Sequence, residues 1–129
     1  MNPRLAILSL SLACLSAPSL AAPPPQAERE IEQVIATLAR SGCQFQRNGS
    51  WYDATQAQAH LRKKYAYLRK RDMVASAEQF IERAGSESSM SGRAYQIRCG
   101  GAAAMPSATW LRARLNEIRA QPAAAPPAR

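Results

Sequence analysis

The chain has little with which to hold a metal or run acid–base chemistry. It carries one histidine, His60, and nine carboxylates against 17 lysines and arginines. Only two of the carboxylates are aspartates, Asp53 and Asp72. Its three cysteines, Cys14, Cys43 and Cys99, make no Cys-x-x-Cys pair, and one histidine cannot complete a zinc-type ligand set with them. Neither a metal site nor a cofactor is therefore expected. No Gly-x-Ser-x-Gly elbow is present, no internal repeat, and no sign of a second domain.

What is present begins with a leader. Arg4 supplies a short positive segment, and Leu5 to Leu20 carry no charge. That run falls short of the ~20 apolar residues a bilayer span needs, and Pro18 interrupts it. Ser19 and Ala21 put small residues where a signal peptidase reads, ahead of Ala22 and the prolines 23–25. A lipid anchor on Cys14 would need a large aliphatic residue at position 11, where Ser11 stands. The expected organisation is a signal peptide at 1–21, a stiff linker at 22–26, one globular domain at 27–120 and a disordered Ala/Pro tail at 121–129. After leader removal no transmembrane segment is expected, and the address is periplasmic.

Periodicity orders the domain. Ile31, Val34, Ile35 and Leu38 make one helical stripe that Gly42 closes, with Glu28, Glu30 and Glu32 near its N-terminus. Alternating residues on either side of Asn48-Gly49 predict a hairpin with a type I′ turn. Asp53 and Gln56 form a capping box for a helix over about 54–70 that buries Ala54, Ala57, Leu61, Tyr65 and Leu68. Ser76 and Gln79 start a third helix burying Ala77, Phe80, Ile81 and Ala84. Residues 94–99 alternate as a strand, and a last helix over 107–119 buries Leu111, Leu115 and Ile118. The result is an α+β fold: a small antiparallel sheet of about three strands packed with about four helices, in the order α-β-β-α-α-β-α.

The cysteines left after processing, Cys43 and Cys99, are expected to bridge in an oxidising compartment. Setting them opposite each other in antiparallel strands also sets Phe45 opposite Ile97, which aligns the apolar faces; a slip of one residue would destroy that match.

Several polar residues stand out as candidates. His60 lies at the edge of its helix's buried stripe beside Lys64, as a ligand-contacting imidazole or simply a boundary histidine. The loop over 86–93, with Ser88, Ser89, Ser91 and Arg93, offers an anion nest or only a hydroxyl-rich turn. Arg62, Lys63, Lys64, Arg69, Lys70 and Arg71 surround the second helix, as a polyanion face or as solvated cations. Trp51 reads as core or core edge, and Trp110 falls off its helix's main stripe, which leaves its exposure open.

Four segments carry a resemblance. They are Phe45 to Gly49, Ala57 to Lys64, Ser76 to Glu82, and Ser88 to Ile97. Together they resemble the YfeK-like family of small bacterial periplasmic proteins of unknown function. The resemblance implies a Gram-negative periplasmic address and a hairpin–helix–helix–strand order, and it brings no activity. It draws attention to Arg47, His60, Arg62 and the serine loop, polar positions that burial does not explain. The cysteine pair departs from some members, so the bridge rests on this sequence alone.

A net charge of +8 favours anionic partners. The expected function is a periplasmic binding or interaction module for an anionic cell-envelope component or a protein partner; nucleic acid is not expected there. The binding residues expected are Arg47, His60, Arg62, Lys64, Ser88, Ser89, Ser91 and Arg93. The alternative is a small serine-type hydrolase using His60 and a serine of the 86–93 loop, although no acidic third member is evident. The balance lies against an enzyme, and nothing in the sequence sets an oligomeric state.

Processing at Ala21 predicts a mature chain beginning at Ala22. Intact mass of the protein from a periplasmic extract checks this; retention of Met1, or a lipid on Cys14, would overturn it.

Overall fold

A computed structural model describes residues 23–121, together with Ala13. The leader, its cleavage site and the tail beyond Gln121 lie outside the described residues. The elements are α1 (Pro25–Arg40), β1 (Gln44–Arg47), β2 (Ser50–Tyr52), α2 (Ala54–Lys70), α3 (Ala77–Phe80) running into a π-helical turn (Ile81–Gly85), β3 (Gln96–Arg98), β4 (Met105–Pro106) and α4 (Ser107–Ala120).

Helix α1 begins at Pro25, inside the segment that reads as a spacer. Proline suits a first turn, because its φ is already helical and its missing N–H would be unpaired there anyway. The predicted stripe is fully buried: Ile31, Val34 and Ile35 are at 0% exposure and Leu38 at 1%. Gly42, at φ +67°, then turns the chain towards β1 in a conformation that favours glycine.

The hairpin follows its turn chemistry. Asn48 (φ 49°) and Gly49 (φ 84°) both take positive φ, as a type I′ turn demands. Phe45 pairs with Tyr52 and Arg47 with Ser50. Asp53 accepts a hydrogen bond from the Gln56 N–H, and Gln56 accepts one from Asp53 in return, so the expected capping box starts α2. Ser76 likewise accepts from the Gln79 N–H to start α3.

The sheet is antiparallel with order β2-β1-β3-β4. Its fourth strand exceeds the three expected. Residues 105–106 read as loop because a two-residue strand has no alternation to detect, and Pro106 suits only a sheet edge. Between β1 and β3 the register is the expected one, with Phe45 opposite Ile97. One step beyond the ladder Cys43 and Cys99 are bridged, their Cα atoms 4.3 Å apart, the spacing of a non-hydrogen-bonded antiparallel pair.

One sheet face, carrying Phe45, Tyr95 and Ile97, joins the helices in a single core. On the opposite face Arg98 stacks 3.9 Å from the Trp51 ring centre and donates to Gln44, so Trp51 belongs to the outer surface of the sheet. Trp110 joins the core at 8% exposure, with Arg114 over its ring. Ile118, expected in the core, is only partly buried against it. Helix α4 packs directly on the π turn: a Cβ on Gly85 would stand 2.5 Å from Leu111 Cδ1. The three α1 glutamates do more than satisfy a helix dipole. Glu28 pairs with Arg69 at 2.6 Å, Glu32 with Arg62 at 2.8 Å, and the buried Glu30 with Arg119 at 2.7 Å. Arg119 also holds Glu78, so one guanidinium ties α1, α3 and α4 together. Those hydrogen bonds raise the pKa of Arg119 and lower that of Glu78.

The bridge joins residues 56 apart, a loop whose closure contributes roughly 4 kcal/mol through the unfolded chain. Replacing both cysteines by serine is expected to lower the unfolding free energy by up to about that amount in urea titrations. An unchanged midpoint and slope, or two free thiols per unreduced, denatured chain on labelling, would overturn the assignment.

Candidate functional site

The period of two along β1 fixes the first site residue. Phe45 faces the core, so Arg47, two residues on, faces the same side at the hairpin tip and reaches α2. Its Nη1 lies 2.7 Å from His60 Nδ1, and its guanidinium stands 5.1 Å from the centre of the Tyr52 ring. On α2, His60 and Lys64 are four residues apart and share a side. His60 Nε2 lies 3.0 Å from the hydroxyl of Tyr95, and Lys64 donates to the same hydroxyl at 3.2 Å and to the Glu87 carbonyl at 3.0 Å. Arg47, His60, Lys64 and Tyr95 thus form one connected cluster drawn from the hairpin, α2 and the segment entering β3.

The direction of these hydrogen bonds follows from the donors. Arginine has no acceptor, so Nδ1 of His60 must carry the lone pair that receives Arg47. The neutral ring then holds its proton on Nε2 and donates it to Tyr95. Burial, and then the positive charges of Arg47, Lys64 and Lys63, lower the His60 pKa to about 4, so the ring is neutral at physiological pH. Burial also lowers Lys64, with Arg47 adding to it and Glu87 opposing it, and burial raises Tyr95.

The 86–93 loop closes the other side. Ser88 N–H donates to the Arg93 carbonyl, and Gly92 N–H to that of Ser88, both at 2.9 Å. The Ser88 hydroxyl, 6% exposed, receives the N–H groups of Met90 and Ser91 and the side chain of Asn48. Ser91 donates to Asn48 Oδ1 at 2.6 Å. Asn48 therefore serves twice, setting the turn and pinning the loop to it. The Arg93 guanidinium lies over the turn, 4.0 Å from where a Cβ on Gly49 would stand.

Two adjoining clefts result. One, of about 470 Å³, is lined by Arg47, Tyr52, His60, Lys64, Ser89 and Tyr95, with Asn48, Ser50, Ser88 and Met90 around them. The other, of about 500 Å³, shares Arg47, His60, Lys64 and Ser89 and adds Lys63, Tyr67, Leu68 and Arg83. Four cations line the pair, and no carboxylate does. Among the described residues no three His, Cys, Asp or Glu side chains gather as a metal site would require.

Of the residues singled out from sequence, Arg47, His60, Lys64, Ser88 and Ser89 meet at this groove. Ser91 and Arg93 sit where the loop meets the hairpin, and the hydroxyls of Ser88 and Ser91 are engaged by Asn48 and the loop backbone. Arg62 lies elsewhere, paired with Glu32 of α1. Among the described residues no hydrogen bond joins His60 to a serine. Tyr95, Tyr52 and Arg83 were not singled out, and Lys63 only as one of the basic run on α2. The alternation of residues 94–99 does put Tyr95 on the inward face with Ile97, but that pattern reads as packing and hides the hydroxyl.

The model of the DUF5329 family, a family of unknown function, matches residues 25–119, and the chain belongs to that family. No curated protein and no solved structure matches it. No helix among the described residues is long and apolar enough to cross a membrane.

The lowered pKa of His60 has a thermodynamic consequence. Between the unfolded value near 6.5 and the folded value of about 4 the unfolded chain binds more protons, so the His60 contribution to stability falls as pH drops through that window and is level above it. His60→Gln is expected to remove this component, so that the urea midpoint of wild type falls relative to that of the variant as pH drops from about 7 to about 4. A difference independent of pH would show that His60 is not held neutral.

Proposed function

We propose that this member of the family is an exported binding module whose groove between the hairpin, α2 and the 86–93 loop takes an anionic ligand. Its address is the periplasm, and its partner is an anionic cell-envelope component or a protein presenting such a group. The observation that carries this reading is the groove lining: Arg47, Lys63, Lys64 and Arg83 and no carboxylate, with Glu87 of the loop the one acidic group acting on Lys64 from beside it. Elsewhere on α2, Arg62 and Arg69 are already paired with Glu32 and Glu28. The groove is therefore a place where positive charge exceeds the negative charge built in beside it. The Cys43–Cys99 bridge suits an oxidising compartment, and the export signal and the YfeK-like resemblance point to the same address.

Binding is favoured over serine hydrolysis by the state of His60. Its lone pair already receives Arg47, and its proton is given to Tyr95. A general base needs a free lone pair within reach of the nucleophilic hydroxyl; the lone pair of His60 is taken by Arg47, and among the described residues no hydrogen bond joins the ring to a serine.

Replacing Arg47 or Lys64 by Gln is expected to weaken binding to anionic vesicles or cell-wall fragments by roughly tenfold or more at low salt, the range for a lost charge-assisted hydrogen bond. Arg62→Gln is expected to leave binding unchanged and to cost at most ~1 kcal/mol of stability, because it breaks only an exposed ion pair. Equal effects at Arg62 and Lys64 would return the attraction to general surface charge.

A further inference from the structure

The hydrogen-bond directions inside the groove define what the ligand must offer. The Tyr95 oxygen has two acceptor positions. His60 Nε2–H fills one and the Lys64 ammonium the other. Among the described residues no acceptor receives the phenolic hydrogen itself. Tyr95 is 1% exposed yet lines the hairpin-side cleft, so its hydroxyl lies at the base of that cleft. Around it stand further unspent donors. Lys64 has given two of its three N–H bonds. Arg47 gives one hydrogen bond to His60 and keeps the rest of its fork. Other hydroxyls of the wall, on Ser50, Tyr52 and Ser89, rotate to donate as well.

A buried hydrogen-bond donor without an acceptor is costly, and so is an excess of cations, here Arg47, Lys63, Lys64 and Arg83 against the single carboxylate of Glu87. One group relieves all of them. It must carry two negative charges, because the four lining cations outnumber the one nearby carboxylate, Glu87. It must also present three or more acceptor oxygens in a non-planar array, to meet donors arriving from β1, from α2 and from the cleft base. It must carry no hydrogen of its own on those oxygens, because that hydrogen would point at a donor. A carboxylate has two coplanar oxygens and one charge, and satisfies only part of this.

We propose that the groove selects a fully deprotonated tetrahedral oxyanion, a phosphate-type or sulfate-type dianion, and that the Tyr95 hydroxyl is the donor that reads its deprotonated state. This rests on the anion-binding reading above and narrows it to a ligand class. The adjoining cleft, with Lys63, Arg83, Tyr67 and Leu68, then receives whatever body the anionic group is attached to.

A wall of donors tells a proton-bearing anion from a proton-free one and does not tell phosphorus from sulfur. Calorimetric titration of the mature, oxidised protein with potassium sulfate and with methyl phosphate, near pH 8 and near pH 5 at constant ionic strength, therefore tests it. Near pH 8 both are dianions, and their dissociation constants are expected to agree within about threefold. Near pH 5 sulfate stays a dianion, whereas a phosphate monoester with a second pKa of about 6 is about nine-tenths protonated, so methyl phosphate is expected to fall about tenfold behind sulfate. Any protonation of His60, and the presence of Glu87, which faces Lys64 and Tyr95 from the loop, act on both ligands alike and cancel in the ratio. Tyr95→Phe keeps the ring that packs 4.9 Å from Phe45 and is expected to weaken sulfate about tenfold or more.

A ratio that does not change between the two pH values overturns the proposal, and so does sulfate binding by a folded Tyr95→Phe variant that equals wild type. The wild-type ratio decides the matter alone should that variant fail to fold. Binding of polyaspartate with no binding of either small dianion overturns the tetrahedral class and leaves the anion-binding reading standing. If Arg47→Gln and Lys64→Gln change the binding of none of these anions, the anion-binding reading itself falls.

Discussion

Cys43 and Cys99 face each other at one end of the β1–β3 ladder, and a strand whose side chains alternate carries that alignment along its length. From the bridge, two residues on, come Phe45 and Ile97, paired and buried at 1% exposure each. Two residues further the same face presents Arg47 from one strand and Tyr95 from the chain entering the other. Both reach the imidazole of His60, from opposite ring nitrogens. A register shifted by one residue would turn Arg47 and Tyr95 to the outer face, where Trp51 and Arg98 stack. The groove is thus a geometric continuation of the core, held at its far end by a covalent bond.

Electrostatics is arranged around the same frame. Helix α1 lies against α2 and α4 and places Glu28, Glu30 and Glu32 so that each holds an arginine of a neighbouring helix. Exposed pairs of this kind add little to stability. Their larger effect is on the potential: they neutralise one side of α2 and leave the side facing the hairpin positive. Glu30 differs from the other two. At 9% exposure its carboxylate needs a partner, and Arg119 meets it with two hydrogen bonds while also holding Glu78.

Much of the frame was legible from local rules. Stripe spacing located α1 and α2, Asn48-Gly49 located the hairpin, Asp53 and Ser76 located two helix starts, and the cysteine pair with the Phe45–Ile97 match gave the register. Each of these signals involves residues close in sequence, or two strands whose apolar faces must agree. Less legible were features that depend on what meets across the fold. A two-residue edge strand at Met105–Pro106 has no period to read. Trp110 is buried although it lies off its helix's main stripe, because α4 packs against more than one element. At the site, His60 and Lys64 were visible as a boundary pair on α2, and Arg47 through the resemblance. The role of Tyr95 was not, because an alternating aromatic in a strand signals burial whether or not its hydroxyl has work to do. Arg62 stood out by charge, yet its partner, Glu32, lies 30 positions away and no local pattern announces it.

The cluster also carries a cost that the rest of the domain must offset. Arg47, Lys63 and Lys64 repel one another around a half-buried ring that they and its burial keep neutral. The Tyr95 oxygen accepts two donors and its hydrogen is left over. In the absence of an anion these terms oppose folding, as preorganised sites commonly do. Two features that leave its cations untouched compensate. The disulfide closes a loop between residues 56 apart, which restricts the unfolded chain. The Asn48–Ser88–Ser91 clasp ties hairpin and loop through the same turn that β1 and β2 require. Because neither bonds to Arg47, Lys64 or Tyr95, the donors there remain directed at whatever enters the cleft. An anion that satisfied them would strengthen the fold and be held by it in the same step, since binding to the native state alone shifts the folding equilibrium.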